Sequence, residues 1–335
     1  MNRILATAAA ACMLLLAGCD SAPPPAADQP NAAAPAGLPV PQAQPKGCTP
    51  TDGPMRIALV TINLQALFYN QINSAAQAMA QQHGVDLQII SGNDDSVTQA
   101  DAIDNLVASG VDAIIVDAVD TEGIKPAIRA ADAKGVPVVA VDAIVDDPAV
   151  DAQVGTANAD GGKQVGELLA QQAGGTGEVG IVGALNSTIQ LERQRGFTDA
   201  VSTGGMTVGT VVDGKNIQEN AQSAAENLLT GNPNLRYVYA TGEPALIGLA
   251  AAVRSQSAQD RITVTGWDLS VPAVDGLKAG WIKAVVQQNT FEFGYQAMSS
   301  AIDLACGNPV QRDNPVPTQI VTPQNVDQYR YYLES

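Results

Sequence analysis

The segment Gly135-Val-Pro-Val-Val-Ala-Val-Asp142 is a short apolar run, rich in β-branched residues, that ends in a carboxylate. A second run, Ile262-Thr-Val-Thr-Gly-Trp-Asp268, ends in the same way in the second half of the chain. Apolar runs of this length, bounded by glycine or proline, are typical of buried parallel strands. Ligands of open α/β sheets bind beyond the carboxyl ends of such strands. Asp142 and Asp268 are therefore predicted to face one pocket from two sides.

Strand-like and helix-like segments alternate around both runs. Between Arg56 and Asp142 the pattern predicts four strands separated by three amphipathic helices. The alternation starts again after a connecting stretch around Val154, with one βα unit for about 25–30 residues in both halves. The fold class that this pattern predicts is α/β, with two doubly wound parallel-sheet lobes.

The charge balance restricts the partners that the chain can have. Its 335 residues include 34 acidic and 17 basic side chains, which gives a formal net charge of -17. Nucleic-acid binding needs a basic footprint, and docking on anionic lipid needs a basic face, so neither is expected. The sequence contains one histidine and no CxxC, HExxH, EF-hand or phosphate-loop pattern. We therefore expect no metal site, no cofactor and no enzyme activity.

The N-terminus has the pattern of an export signal. Arg3 precedes an apolar stretch, residues 4–17, that is too short to span a bilayer. The sequence Leu16-Ala-Gly-Cys19 is typical of the lipobox of bacterial lipoproteins, in which Cys19 carries the lipid; an ordinary secretory signal with a chance cysteine is the alternative. We expect removal of residues 1–18 and a protein anchored to the cell membrane, facing the periplasm or the cell exterior.

Residues 19–54 are expected to form the lipidated cysteine and a proline- and alanine-rich linker. Ten of the twenty prolines fall in residues 20–54, and such a segment behaves as a semi-extended spacer. Two cysteines remain beyond the signal, Cys48 and Cys306. In an oxidising compartment an even count favours a disulfide between them, and two free thiols are the alternative.

Polar and aromatic side chains gather at the predicted carboxyl ends of the strands. Phe68 and Tyr69 follow the first strand and Trp267 precedes Asp268, although aromatic residues are only 4% of the chain. Carboxylates accept hydrogen bonds from hydroxyl groups, and aromatic rings cover the apolar faces of a sugar. The alternative is that the aspartates cap helices and the rings pack in the core. Together, these residues predict a site for a carbohydrate or polyol.

Several segments match a pattern that one family of binding proteins shares, namely Ala58-Leu-Val with Phe68-Tyr69, residues 105–116, Gly135-Val-Pro-Val-Val-Ala-Val-Asp142, Asp160-Gly-Gly-Lys163, Arg193-Gln-Arg-Gly-Phe197 and Thr265-Gly-Trp-Asp268. With them, about residues 56–321 resemble the periplasmic sugar-binding proteins of the ribose/galactose-binding type. The resemblance implies the type I periplasmic binding protein fold, in which two lobes close on a ligand over a hinge that the chain crosses three times.

The resemblance also implies the division of the chain into lobes. The first lobe would comprise residues 55–153 and 289–319, and the second lobe residues 154–288 and 320–335. The three crossings would lie near Val154, Asn289 and Ile320. Cys48 and Cys306 would then belong to the same lobe, which favours the disulfide.

The ligand contacts that the resemblance implies are an aromatic pair, one carboxylate from each lobe, a second-lobe tryptophan and a hinge-side amide. In this chain the matching residues are Phe68, Tyr69, Asp142, Asp268, Trp267 and Gln288.

Four positions depart from the family pattern. Ala143 stands where an arginine is common, and Leu191 stands where a second arginine is expected, with Arg193 two residues further on. Gly242 replaces an asparagine and is followed by Glu243. The first loop is one residue longer, which leaves Asn63 or Gln65 to take a polar role. Loss of arginines with retention of carboxylates disfavours an anionic ligand and favours a neutral or amine-bearing polyol.

The expected function is that of a lipid-anchored, monomeric substrate-binding protein of an ABC transporter. It would capture a small sugar, sugar alcohol or related polyol and deliver it to the permease and its ATPase. A sensory receptor of the same fold is the first alternative, and an enzyme on a doubly wound fold is the second. A transcription repressor of this fold would need a basic DNA-binding helix pair where this chain has a signal and a linker.

Overall fold

A computed structural model describes residues 38–49 and 53–334. The predicted export signal and Cys19 lie outside these residues. Within the described part of the chain, no helix is both long and apolar enough to cross a membrane. The described chain forms two α/β lobes, each with its own central sheet.

The first lobe contains a six-stranded sheet in which all neighbouring strands are parallel. Its strands are β1 (Arg56–Thr61), β2 (Asp86–Ser91), β3 (Ala113–Val116), β4 (Val138–Val141), β5 (Ala152–Thr156) and β11 (Asp313–Val316), in the order β11-β5-β4-β3-β1-β2. Apolar residues of β3 and β4 are fully buried on both faces, as parallel strands between helix layers require. The covering helices are α1 (Leu67–His83), α2 (Ser96–Ser109), α3 (Lys125–Asp132) and α9 (Thr290–Ala305).

The second lobe repeats this topology with one antiparallel edge strand, which follows β10 in the sheet. Its strands are β6 (Glu178–Gly183), β7 (Thr207–Asp213), β8 (Tyr237–Ala240), β9 (Thr263–Trp267), β10 (Ile282–Gln287) and β12 (Gln319–Val321), in the order β12-β10-β9-β8-β6-β7. Its helices are α4 (Asn158–Gln172), α5 (Thr188–Thr203), α6 (Gln218–Gly231), α7 (Glu243–Ser255) and α8 (Val271–Ala279), and a 3₁₀ helix (Val326–Leu333) follows β12. The predicted fold class is confirmed.

The lobe boundaries differ by a few residues from those that we expected. The stretch around Val154 is a strand, β5, which pairs with β4 and β11, so the first crossing follows Thr156. The second crossing lies at Gln288–Asn289, between β10 and α9, and the third lies between β11 and β12. The C-terminal 3₁₀ helix contacts both lobes, because Val326 packs in a second-lobe core and Tyr332 in a first-lobe core.

The last part of the predicted linker is held against helix α9. The Glu292 carboxylate accepts hydrogen bonds from the backbone nitrogens of Gln42 (3.0 Å) and Ala43 (3.1 Å). A disulfide joins Cys48 to Cys306, the residue that follows α9, and confirms the predicted pairing. Residues 38–49 are therefore a strap on the first lobe, and only the residues before them remain as the predicted spacer.

Candidate functional site

A cavity of about 500 Å³ lies between the carboxyl ends of the two sheets. Both lobes line it, together with the hinge crossings. The six implied contacts, together with Asn63, Arg193 and Glu243 at the departing positions, make nine predicted ligand-binding residues. Seven of them line the cavity, namely Phe68, Tyr69, Asp142, Arg193, Glu243, Asp268 and Gln288.

The two aspartates that end the apolar runs occupy equivalent positions in the two lobes. Asp142 follows β4 and Asp268 follows β9. Each of these strands is the third in its sheet, counted from the β11 edge in the first lobe and from the β12 edge in the second. Both have left-handed backbone conformations, with φ of 61° and 64°, a region that aspartate tolerates better than most residues. Each backbone nitrogen still bonds to the neighbouring strand, with Val154 O and Val286 O as acceptors at 2.8 Å. The turn thus directs both carboxylates to the cavity.

Arg193 is the cation that faces these carboxylates. Its Nε donates to Asn158 Oδ1 (2.8 Å) and its Nη1 to Thr241 O (3.3 Å), and Nη1 lies 3.8 Å from Asp268 Oδ2. The guanidinium carbon stacks 3.9 Å from the centre of the Trp267 ring. Only 5% of Arg193 is exposed, and this burial lowers its pKa, an effect that Asp268 opposes. The guanidinium is therefore held rigidly before any ligand arrives.

Trp267 lies behind Arg193 and does not line the cavity. Its ring is fully buried, its Nε1 donates to the Tyr239 hydroxyl (2.7 Å), and it packs against Gly161 so closely that a side chain there would collide with it. The structure therefore places Trp267 behind the guanidinium, and a contact between Trp267 and the ligand stays a prediction. Because successive strand residues point to opposite faces, the residue before Asp268 turns into the core of the second lobe.

Asn63 also lies outside the cavity wall. Its Oδ1 accepts hydrogen bonds from the nitrogens of Gln65 (3.0 Å) and Ala66 (2.9 Å), and its Nδ2 donates to Asp94 Oδ1 (2.8 Å). Its polar atoms are used to shape the loop that leads into α1. These bonds shape the loop that precedes Phe68 and Tyr69, and a direct contact between Asn63 and the ligand stays a prediction.

Gln288 connects the lobes at the hinge. Its Nε2 donates to Asp268 Oδ1 (2.9 Å), and its Oε1 accepts from the hydroxyl of Thr156, the last residue of β5 (2.6 Å). A first-lobe hydroxyl and the second-lobe carboxylate are thus joined through one amide. This contact couples the position of Asp268 to the hinge crossings.

Burial raises the pKa of every carboxyl group at the cavity. The pKa of Asp142 rises to about 6, an effect that Arg193 opposes and Asp268 reinforces. Burial also raises the pKa of Asp268, whereas the Arg193 charge and the hydrogen bond from Gln288 lower it. Glu243 is exposed at the rim, yet the surrounding atoms and Asp268 raise its pKa to about 7. Asp142 and Glu243 therefore exchange protons closer to neutral pH than free carboxyl groups do.

Asp117 is a buried group beside this site, though not one of the residues that line the cavity, and sequence reasoning missed it. It follows β3, the neighbour of β4, and only 1% of it is exposed. Neither carboxylate oxygen has a hydrogen-bond partner in the described structure. Burial and the Asp142 charge raise its pKa well above the usual range, and Asp117 in turn raises the pKa of Tyr69. The signal was present, because Ala113-Ile-Ile-Val-Asp117 is also an apolar run that ends in a carboxylate.

Glycines at the crossing of α4 and α5 set the position of Arg193. A methyl group at Gly162 would collide with the carbonyl oxygen of Arg193, and one at Gly196 would collide with the carbonyl oxygen of Ala159. The two helices can approach this closely only because both positions lack a side chain. The position of the Arg193 backbone therefore depends on the absence of a side chain at Gly162 of α4.

Substitution Gly162→Ala should move α5 and lower the free energy of unfolding by at least about 1 kcal/mol, as overpacking does. Urea denaturation followed by circular dichroism measures the change. The matched control is Gly231→Ala at the end of α6, where the added Cβ would meet nothing within 4 Å. Equal stability of the two variants would contradict the role assigned to Gly162.

Comparisons with known proteins agree with this architecture. Residues 57–309 match the family described as "Periplasmic binding protein domain". The D-ribose/D-allose-binding protein of Pseudomonas aeruginosa is 26% identical over 282 residues, which cover 80% of this chain and 88% of the relative. The ribose import binding protein of Bacillus subtilis is 27% identical over 267 residues, covering 79% and 87% of the two chains.

A solved structure shares the fold over most of its length. The periplasmic ribose ABC transporter structure from Conexibacter woesei superposes with a TM-score of 0.79, at 24% identity, over 85% of this chain and 97% of that chain. The two lobes, the cavity at the strand ends and the match over residues 57–309 lead to one conclusion. The chain belongs to the periplasmic binding protein domain family.

Proposed function

We propose that this protein is the substrate-binding component of an ABC importer and that it captures a small sugar, sugar alcohol or related polyol between its lobes. The observation that supports the proposal most directly is the cavity between Asp142 and Asp268. These two residues follow equivalent strands of the two lobes. The names of the relatives, which bind ribose or allose, agree with it. Because one of them is named as an import protein, transport is favoured over the sensory alternative.

The mechanism follows from the three hinge crossings. A ligand that contacts Asp142 on one lobe and Asp268 on the other stabilises the closed arrangement, because it binds that arrangement better than the open one. The membrane permease then receives the ligand from the closed protein. The half-buried rings of Phe68 and Tyr69 pack edge to face at the entry to α1, with 5.5 Å between centroids, and supply an apolar wall for the ligand's C–H groups.

We also propose that Cys19 carries a lipid and holds the protein at the cell membrane, with the chain acting as a monomer. The lipobox sequence supports the anchor. The strap of residues 38–49 supports a one-sided attachment, because its described contacts with α9 are made to the first lobe. The second lobe then remains free to close over a ligand while the first lobe is held.

The test is a ligand panel of ribose, allose, arabinose, xylitol and myo-inositol, measured on the soluble domain by thermal unfolding. A true ligand at about 100 times its Kd should stabilise the protein by about 2.7 kcal/mol and raise Tm by roughly 5 °C or more. The same increase should be absent in Asp268→Asn and present in Asp260→Asn, a substitution at an exposed second-lobe position outside the cavity. If no sugar or polyol raised Tm, the proposal would be refuted.

A further inference from the structure

The glutamine side chains of the cavity are already engaged with protein. Four glutamines line it, and in each one both the amide oxygen and the amide nitrogen have a protein partner. The glutamines are Gln71, Gln190, Gln287 and Gln288. Amides are the groups that usually match the mixed donors and acceptors of a neutral polyol. In this site they are largely committed before the ligand binds.

The carboxylates, in contrast, are left without donors. Within the described residues, Asp142 and Glu243 accept no hydrogen bond and form no ion pair, and both oxygens of Asp117 are buried without a partner. Asp268 uses one oxygen for Gln288 and keeps the other 3.8 Å from Arg193. The free hydrogen-bonding capacity of the cavity carboxylates, Asp142, Glu243 and Asp268, is therefore that of an acceptor.

The cavity has fewer positive side chains than carboxyl groups. Arg193 is the only lysine or arginine among the described lining residues, and its guanidinium is already bonded to Asn158 and Thr241 and stacked on Trp267. It lies on the second lobe, beside Asp268. Its charge also acts on Asp142, where it lowers the pKa against the effect of burial. No lysine or arginine of the first lobe is among the described lining residues, and the Tyr69 hydroxyl and the Asp94 carboxylate lie near Asp117.

We propose that the ligand carries a protonated amine, which the Asp142 carboxylate holds at the first-lobe end of the cavity, with the buried Asp117 carboxylate behind it on the adjacent strand. This inference rests on the proposed function, and it defines the ligand class as an amino sugar or an amine-bearing polyol. An ammonium group has three donors and no acceptor, so it matches a cluster of unpaired carboxylate oxygens. It also supplies the charge that a buried, unpartnered carboxylate lacks.

The two ends of the cavity differ in how their carboxylates are compensated. At the second-lobe end, Asp268 is compensated by Arg193 and by the hinge amide of Gln288, so it suits hydroxyl groups. At the first-lobe end, the adjacent strands β3 and β4 place two carboxylates close together, and no lysine or arginine of the first lobe is among the described lining residues. A ligand with hydroxyl groups on one side and an amine on the other satisfies both ends.

The test compares matched pairs of neutral and amino compounds by isothermal titration calorimetry at pH 7.5. The pairs are glucose with glucosamine, xylitol with 1-amino-1-deoxyxylitol, and myo-inositol with its monoamino derivative, and N-acetylglucosamine serves as an uncharged control. In at least one pair the amine should bind about tenfold tighter or better, and added salt should reduce this preference.

The variant Asp117→Asn should bring the amine-to-neutral affinity ratio close to one, because it removes one charge and keeps the shape of the side chain. The control is Asp104→Asn on the exposed face of α2, which should keep the full preference. A preference that persisted in Asp117→Asn would exclude Asp117 from the ammonium site. If neutral members bound as well as their amines in every pair, the inference would be overturned and the proposed function would stand. If no compound bound, the proposed function would fail, and this inference would fail with it.

Discussion

Replacement of Arg193 by methionine should lower the free energy of unfolding by about 3–5 kcal/mol at pH 7.5, the cost typical of breaking a buried ion pair from one side. Methionine keeps part of the stacking volume over Trp267 but removes the charge that faces Asp268. The Asp268 carboxylate would then be buried with only the Gln288 amide as a partner. Urea denaturation followed by circular dichroism measures the loss.

The loss should be smaller at pH 5, and the sign follows from the direction of the pKa shifts. Burial raises the pKa of Asp268, and Arg193 holds that rise in check, so the variant should have a still higher pKa at Asp268. A group with a raised pKa in the folded state contributes most below its unfolded pKa and loses that contribution as pH increases. At low pH the carboxyl group is therefore protonated in the variant, and the unpaired charge disappears.

Arg195→Met is the matched control, since Arg195 lies two residues further along α5 and is exposed. It should change stability little at either pH. An equal loss at pH 5 and pH 7.5 for Arg193→Met would show that Arg193 stabilises the lobe by packing alone, and would contradict the ion-pair explanation.

Asp117→Asn should stabilise the ligand-free protein by about 2 kcal/mol at pH 8, because an amide replaces a buried carboxylate that lacks any partner. The wild-type pKa at this position is raised well above the usual aspartate range, so wild-type stability falls as pH increases through that raised value. Asparagine does not titrate. The advantage of the variant should therefore shrink as the pH is lowered through the raised pKa of the wild-type group.

Thermal unfolding at pH 5 and pH 8 checks this expectation, with Asp104→Asn as the control that should show no such pH-dependent gain. Destabilisation of Asp117→Asn at pH 8 would contradict it, because it would mean that the carboxylate has a stabilising partner in the native protein. If the gain is found together with the loss of amine preference, Asp117 reduces stability in exchange for ligand recognition. Such an exchange is common at binding sites.

Part of the site could be predicted from local pattern. An apolar run that ends in a carboxylate marks the carboxyl end of a buried strand, and this rule placed Asp142 and Asp268 at the cavity. The same rule applied to β3 would have included Asp117. Trp267 does not line the cavity, because a strand residue and its neighbour point to opposite faces and the rule does not distinguish the two. Asn63 does not line it either, because the loop's own backbone uses that side chain.

The sequence by itself determined the α/β class, the two-lobe repeat and the strand ends, because these depend on periodicities that each segment carries within itself. It also supplied the two cysteines that the fold joins as Cys48–Cys306. The tertiary structure alone decided that β5 belongs to the first sheet, that Glu292 holds the strap, and that Arg193 stacks on Trp267. Those contacts join residues far apart in the chain. The same long-range packing buries Asp117 and commits the cavity glutamines, so the charge of the site could be read only from the folded protein.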